Sequence, residues 1–402
     1  MLPPLPVLKR GLALTTETLA TELALGRRGT AQPAWSALEW RLAGAAAVAH
    51  GISPLLAGFS TWAPDGWQDF LATQREHVEI RQQRIASLLT QIDAGARRMA
   101  LPLVALKGSA LHGLGIYVAG ERPMADIDLL VRPRDLPVVQ ALLEELGYDE
   151  SFRQWKHSVF KPRGGMAVRG LGEHRDTPVN IEVHTRIQER LPIRTVDITE
   201  RVWPEDAQPG INPYPSRGAL MAHLLLHAAG NICGRSFRLL HLHDIAQLAR
   251  RMPRDEWATL WQGDEAPWWA WPPLRLAARY FPGTVPHDVL EAVRRECPRL
   301  LRIAAKRQTI TSVSCSQLWL NLLPGAEWSR TPGDITRLLL NRIRPTQESR
   351  EERADMLRTQ VWLQGQTWVR RNHLTRLITG LTRPVPRMDT LYVVRAALGD
   401  LA

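Results

Sequence analysis

Residues Leu101 to Pro133 read LPLVALKGSALHGLGIYVAGERPMADIDLLVRP. An apolar run from Leu103 to Leu106 breaks at Lys107-Gly108-Ser109, and a helix-like segment follows from Ser109 to Tyr117. The stretch closes on a second apolar run, Ala125 to Val131, that carries Asp126 and Asp128. Side chains alternate across a strand, so these two aspartates share a face, about 7 Å apart along it. Leu129 and Val131 continue a strand too apolar for the surface. Two carboxylates fixed together at the edge of a buried sheet repel each other unless a cation stands between them. Their oxygen chemistry calls for a divalent metal, Mg²⁺ first.

The Gly108-Ser109 turn leads from a strand into a helix. Main-chain N–H groups at a helix start attract phosphate, and a small residue lets the phosphate come close. Sixteen residues separate Ser109 from Asp126, enough for a helix and a return crossing that sets a phosphate cradle beside the aspartates. A third carboxylate is available in Ile181-Glu182-Val183-His184-Thr185, where Glu182 and His184 alternate on one face of a buried strand as Asp126 and Asp128 do.

Working outward, residues 12–100 read as helical, with a break at Gly51 to Pro54. Asp65 to Met99 reads as one long amphipathic helix capped by Asp65, with Phe70, Val78, Ile85, Leu88, Leu89 and Ile92 on its apolar stripe. After the second strand, Asp135 caps a helix that runs to Leu146 and stops at Gly147. The period then changes to two, predicting strands over Phe152–Lys161, Met166–Leu171 and Val179–Thr185. Arg190 to Arg217, rich in Pro and Asp, reads as a connecting loop with one helical turn at most. Helix returns from Gly218 onward, with a tryptophan-packed elbow at Pro267 to Pro273 and amphipathic segments at Ile335–Ile343 and Val361–Arg371. The expected organisation is an N-terminal helical region (1–100), a catalytic core (101–190), a linker (191–217) and a C-terminal helical domain (218–402).

Composition narrows the class without choosing the chemistry. With 45% hydrophobic and 23% charged residues, the chain is an ordinary globular protein. It has no apolar run of the roughly 18–20 residues that cross a bilayer and no secretory pattern, so a cytoplasmic location is expected. Three widely spaced cysteines, Cys233, Cys297 and Cys315, fit neither a disulfide framework nor a zinc pattern and read as buried free thiols. The net charge of +11 comes almost entirely from arginine and concentrates in the last hundred residues. Such a balance favours polyanionic partners, and it equally fits the coding bias of a GC-rich genome. No nucleic-acid-binding motif is present, so nucleic acid is not an expected partner. His223 and His227, four apart, with His241, His243 and Asp244 beyond them, have metal-like spacing, but the surrounding leucines favour helix packing.

A glycine-serine turn, Asp-x-Asp on the next strand and a lone acid on a later strand resemble the nucleotidyltransferase fold. More closely, the chain resembles the bacterial family of uncharacterised nucleotidyltransferases. The matching residues are Leu106-Lys107-Gly108, Ala110-Leu111, Arg122-Pro123, Asp126-Ile127-Asp128-Leu129-Leu130-Val131 and Glu182-Val183-His184. Looser matches follow at His223, His227, Asp244-Ile245-Ala246 and Arg342-Ile343-Arg344-Pro345. The gap between Gly-Ser and Asp-x-Asp is longer than in minimal nucleotidyltransferases but suits this family.

The resemblance implies an α+β protein, with a mixed β-sheet core flanked by N-terminal helices and a C-terminal helical domain. It implies an enzyme that moves a nucleoside monophosphate, or a related phosphate-linked group, from an NTP to an acceptor. Asp126, Asp128 and Glu182 would hold two Mg²⁺ ions, with Glu182 helping to activate an acceptor hydroxyl. Lys107, Gly108, Ser109 and Arg122 would hold the phosphates, Lys107 and Arg122 by neutralising charge; a plain ion pair of Arg122 with Asp126 or Glu121 is the alternative. His184 would act in support. A small-molecule, sugar or peptide acceptor from natural-product or polysaccharide biosynthesis is implied by the same resemblance. A catalytically silent, nucleotide-binding regulatory module is the second reading.

Overall fold

The two apolar runs of the opening stretch form adjacent strands of a six-stranded mixed sheet, β1 (Pro102–Ala105) next to one edge and β2 (Asp126–Leu130) inside it. The others are β3 (Tyr148–Arg153), β4 (His157–Pro162), β5 (Asn180–His184) and β8 (Gly210–Asn212), in the order β3-β4-β5-β2-β1-β8. Strand β2 runs antiparallel to β1 and parallel to β5, whereas β8 runs parallel to β1. Strand β4 is antiparallel to both neighbours. A separate hairpin joins β6 (Gln188–Arg190) and β7 (Thr195–Asp197). This computed structural model describes residues 2–153, 156–166, 168, 170–192, 194–261, 266–320, 325–359, 363, 375, 378 and 385–399.

Alternation sorts the strand residues between two faces. Ile127, Leu129, Ile181 and Val183 pack with Ile85 and Ile92 of α4 (Trp67–Arg98) and Val139 and Leu142 of α6 (Leu136–Glu145). The opposite face carries the acidic residues. Leu130 and Val104 on that side join the large core built with helices α8 (Arg217–Gly234) and α9 (Leu239–Ala249). The sheet is thus sandwiched, and Lys107, Glu182 and His184 on its polar face share a cavity with His223 and His227 of α8.

Helices α1 (Leu5–Leu25), α2 (Ala37–Ala49), the short α3 (Ser53–Leu56) and α4 precede the sheet. A capping box starts α2: Ser36 accepts from the Glu39 N–H while Glu39 accepts from the Ser36 N–H. The cap of the long helix lies one residue beyond the expected Asp65. Gly66, at φ +73°, turns the chain into α4 with no side-chain cap, a conformation that glycine adopts without steric cost. The helix after β1, α5 (Lys107–Gly113), starts earlier and stops earlier than expected. Gly115, at φ +63°, follows its end.

Other differences lie where the sequence signal is short. The run Phe152–Lys161 is not one strand but the two arms of the β3–β4 hairpin. Of Met166–Leu171, residues 167 and 169 lie outside the described residues, and the positions described there are irregular. The segment read as a linker holds the one-turn helix α7 (Thr199–Val202) and also β8, the sheet's sixth strand. Three residues between Pro209 and Pro213 are too few to show alternation; β8 is held by its ladder with β1 and by the Ile211 N–H donating to Asp93 Oδ1 at 2.7 Å. The tryptophan elbow is as expected, with Trp268, Trp269 and Trp271 buried and Trp268 edge-on to Trp328. A helix spans Pro332–Ile343, whereas Val361–Arg371 lies almost wholly outside the described residues. Two of the three cysteines are buried and Cys233 is half-buried.

No helix among the described residues is long and apolar enough to cross a membrane.

Candidate functional site

Strand register gathers the acids. Asp126 lies opposite Asn180 and Asp128 opposite Glu182 across the parallel β2–β5 pair, and Leu130 lies opposite His184. On the far side of β5, His157 of β4 pairs with His184. Residues two apart share a face, as do residues directly opposite each other, so Asp126, Asp128, Glu182, His184 and His157 converge on one patch.

Two nitrogen groups converge on Asp128. Lys107 Nζ donates to its Oδ1 at 2.9 Å, and His184 Nε2 lies 2.8 Å from the same oxygen. His184 Nε2 also lies 3.6 Å from Glu182 Oε2, which His157 Nε2 approaches at 3.4 Å. Lys107 opens α5 in the left-handed region, at φ +45°, a conformation unfavourable for a residue with a Cβ. Its N–H donates to Tyr214 Oη at 3.3 Å, and its ammonium is anchored on Asp128, so both ends of the residue are fixed.

The acids do not titrate alike. Burial, with Asp128 and Glu182 beside it, raises the pKa of Asp126. Burial would also raise that of Asp128, but Lys107 and His184 outweigh it and hold Asp128 well below the usual carboxylate range. Burial likewise works against Glu182, and the neighbouring His184 brings it below its ordinary value. Burial opposes the charge on Lys107, yet Asp128, Asp126 and Glu182 together raise its pKa. The patch therefore concentrates negative charge around a single ammonium, and the oxygens of Asp126, Asp128 and Glu182 suit a hard divalent cation.

Of the expected phosphate-holding residues, Lys107, Gly108 and Ser109 form the first turn of α5. The Ser109 N–H is taken by Leu106 O at 3.1 Å, and its buried Oγ has no hydrogen-bond partner among the described residues. Arg122 pairs with neither Asp126 nor Glu121. Its Nε and Nη2 fork onto Asp244 of α9 at 2.9 and 2.8 Å. Tyr117 Oη also donates to Asp244, at 2.7 Å. The guanidinium lies directly under the turn: a Cβ on Gly108 would stand 2.5 Å from Arg122 Nη1. The expectation that Arg122 meets phosphate is thereby replaced by a buried place behind the turn, because Asp244 already satisfies its charge.

A cavity of about 130 Å³ lies between the patch and α8, lined by Lys107, His157, Glu182, His184, His223 and His227 among others. A second, of about 530 Å³, lies past Tyr214 and is lined by Ser109, Ala110, Leu114, Tyr214, Arg217 and Leu220 among others. Tyr214 Oη, 2.8 Å from His223 Nδ1, forms part of the partition between them. The helical histidines pack as expected: His243 Nδ1 bonds Tyr117 Oη at 3.0 Å, and His227 Nε2 bonds Asn231 at 3.0 Å.

Sequence reasoning passed over His157, and it missed Asp244 as the partner of Arg122. The strand around His157 was legible, but its neighbour across the sheet depends on hairpin register. The Asp244-Ile245-Ala246 block is visible in the sequence, yet its contact with Arg122 spans 122 residues.

Among solved structures, the solution structure of the antibiotic-resistance factor ANT(2'')-Ia, a protein with substrate-regulated conformation dynamics, is similar at 16% identity and a TM-score of 0.31. The match covers 43% of this chain and 87% of that one. No curated protein matches. The family model described as uncharacterised nucleotidyltransferase matches residues 36–278, more than half of the chain and all of the sheet, α8 and α9. The chain belongs to this family of uncharacterised nucleotidyltransferases and is a transferase of nucleotidyl groups.

Proposed function

We propose that this site moves a nucleoside monophosphate from an NTP to an acceptor hydroxyl in a Mg²⁺-dependent reaction of the two-metal type. The observation that carries the reading is the register that sets Glu182 beside Asp128, on the face that also holds Asp126. Bound at these three carboxylates, divalent cations would supply positive charge to the α-phosphate and to the attacking oxygen. Asp126, with its raised proton affinity, is the carboxylate most in need of that charge. Lys107 holds Asp128 in place, and its ammonium lies within reach of the same cavity, where it would neutralise phosphate oxygens. His184 orients Asp128 from the floor of the patch.

Gly108 lets the turn close on Arg122, and Ser109, whose buried hydroxyl has no partner among the described residues, stands on the side of the turn that lines the larger cavity. Arg122 acts from beneath, holding the turn rather than the phosphate. Glu182 would take the proton of the acceptor hydroxyl. A small-molecule, sugar or peptide acceptor fits the larger cavity, whose volume lies in the range of ligand pockets, roughly 300–1,000 Å³. The first cavity is smaller than that range, which suits ions and phosphate oxygens.

The test is pyrophosphate release from NTPs offered with Mg²⁺ and a panel of hydroxyl acceptors. Asp126→Asn combined with Asp128→Asn should abolish it. Unchanged release in the double variant would overturn the reading.

A further inference from the structure

At the Glu182 end of the patch the donors change character. Glu182 Oε2 is flanked by two imidazole nitrogens, His157 Nε2 at 3.4 Å and His184 Nε2 at 3.6 Å. The three donor atoms lie within 4.8 Å of one another. Both separations from Glu182 exceed the usual hydrogen-bond length. They match the edge of a tetrahedron around an ion with bonds of about 2.0–2.1 Å, an edge of about 3.3–3.4 Å by geometry. Asp128 Oδ1, 2.8 Å from His184 Nε2, lies next to the set.

His157 supports the same conclusion from its surroundings. Its side chain is largely buried, and Nδ1 has no hydrogen-bond partner among the described residues. Its Nε2 has the long approach to Glu182. A ligand at Nε2 would give this largely buried imidazole the close partner that Glu182, at 3.4 Å, does not. The Asp126–Asp128 end differs: there an ammonium, Lys107 Nζ, already stands against a carboxylate.

We propose that His157, Glu182 and His184 form a mixed nitrogen–oxygen site for a divalent transition metal of the Mn²⁺ or Zn²⁺ class. Imidazole is a poor ligand for Mg²⁺, which prefers oxygen donors throughout, and a good one for Zn²⁺; Mn²⁺ shares the oxygen preference of Mg²⁺ but accepts imidazole, and serves as the paramagnetic probe of the site. The proposal deepens the metal-dependent reading above and rests on it: one of the two cation positions is selective for a transition metal. His157 thereby becomes a specificity-determining ligand supplied by β4.

The experiment uses the full chain and Mn²⁺, in a nitrogen-free buffer without nucleotide. Electron paramagnetic resonance counts bound Mn²⁺, and electron spin-echo modulation reports ¹⁴N coordinated to it. The expected result is bound Mn²⁺ with ¹⁴N modulation that survives a hundredfold excess of Mg²⁺, and at least tenfold weaker binding in His157→Gln. The wild-type modulation stands even if that variant fails to fold. Bound Mn²⁺ without ¹⁴N modulation, displacement by Mg²⁺, or no binding would overturn the inference. Pyrophosphate release, measured separately, decides the reaction itself: a nitrogen-coordinated ion with no release would retain this site and reject the proposed function.

Discussion

Arg122 and Asp244 form a forked ion pair that joins the loop before β2 to α9, with both side chains almost fully buried. A buried charge that loses its partner is strongly unfavourable, so Asp244→Ala should destabilise the protein by about 3–5 kcal/mol. Urea unfolding measures it. A loss below about 1 kcal/mol would show that Arg122 finds water or another acceptor.

The same guanidinium makes Gly108 irreplaceable on steric grounds. An alanine Cβ there would meet Arg122 Nη1 at 2.5 Å and Met124 Cγ at 3.2 Å, and Asp244 prevents the arginine from yielding. Gly108→Ala should cost about 1–3 kcal/mol and weaken NTP binding. At the other end of α5, a methyl group on Gly113 would have nothing within 4 Å, so Gly113→Ala should be neutral or stabilising by up to about 1 kcal/mol. Calorimetric titration with a nonhydrolysable NTP, alongside unfolding, separates the two glycines.

Removing the ammonium tests catalysis while leaving Asp128 a partner. In Lys107→Met, His184 still bonds Asp128, so the fold should persist. Turnover should fall by about 10²–10³, the usual loss when one charge-stabilising donor is deleted from a reacting centre. Rates within threefold of wild type would remove Lys107 from the reaction.

Acid should weaken the fold through its buried histidines, and His50 is the clearest case. Its Nδ1 accepts from the Leu239 N–H at 2.9 Å and its Nε2 lies 2.8 Å from Ser316 Oγ. Burial, helped by the charge of Arg238, lowers its pKa to about 3 from the ordinary 6.5. Between those values the unfolded chain binds the extra proton. Stability from this group is therefore complete above pH 6.5 and falls with decreasing pH, by up to about 1.4 kcal/mol per unit. His50→Gln should reduce the stability lost between pH 7 and pH 5 by about 2 kcal/mol, whatever its effect at pH 7. Urea unfolding at the two pH values checks this, and an unchanged difference would falsify it.

How far the sequence could be read depended on the range of the interaction. Asp126 and Asp128, and Glu182 and His184, were legible because alternation within one strand is a local property. The apolar residues between them announced a buried sheet. His157 was not legible, since its place beside His184 depends on how a hairpin aligns with β5. Nor was the Arg122–Asp244 pair, whose partners sit in separate parts of the fold. Short pieces such as β8 hid for a different reason: three residues cannot display a period, and only the exposed ladder edge of β1 gives them a structure.

Leu8 and Leu12 of α1 share a small apolar cluster with Leu391 and Val394 of the helix Met388–Ala397. These partners are roughly 380 residues apart in the chain, a closure among the last that a folding polypeptide can make. At ribosomal speeds of about 5–20 residues per second, α1 waits tens of seconds for this partner, with part of its leucine face open to other chains. A nascent chain stalled before residue 388 should accordingly be a better chaperone client than the finished protein, even though the whole nucleotidyltransferase sheet has already been synthesised.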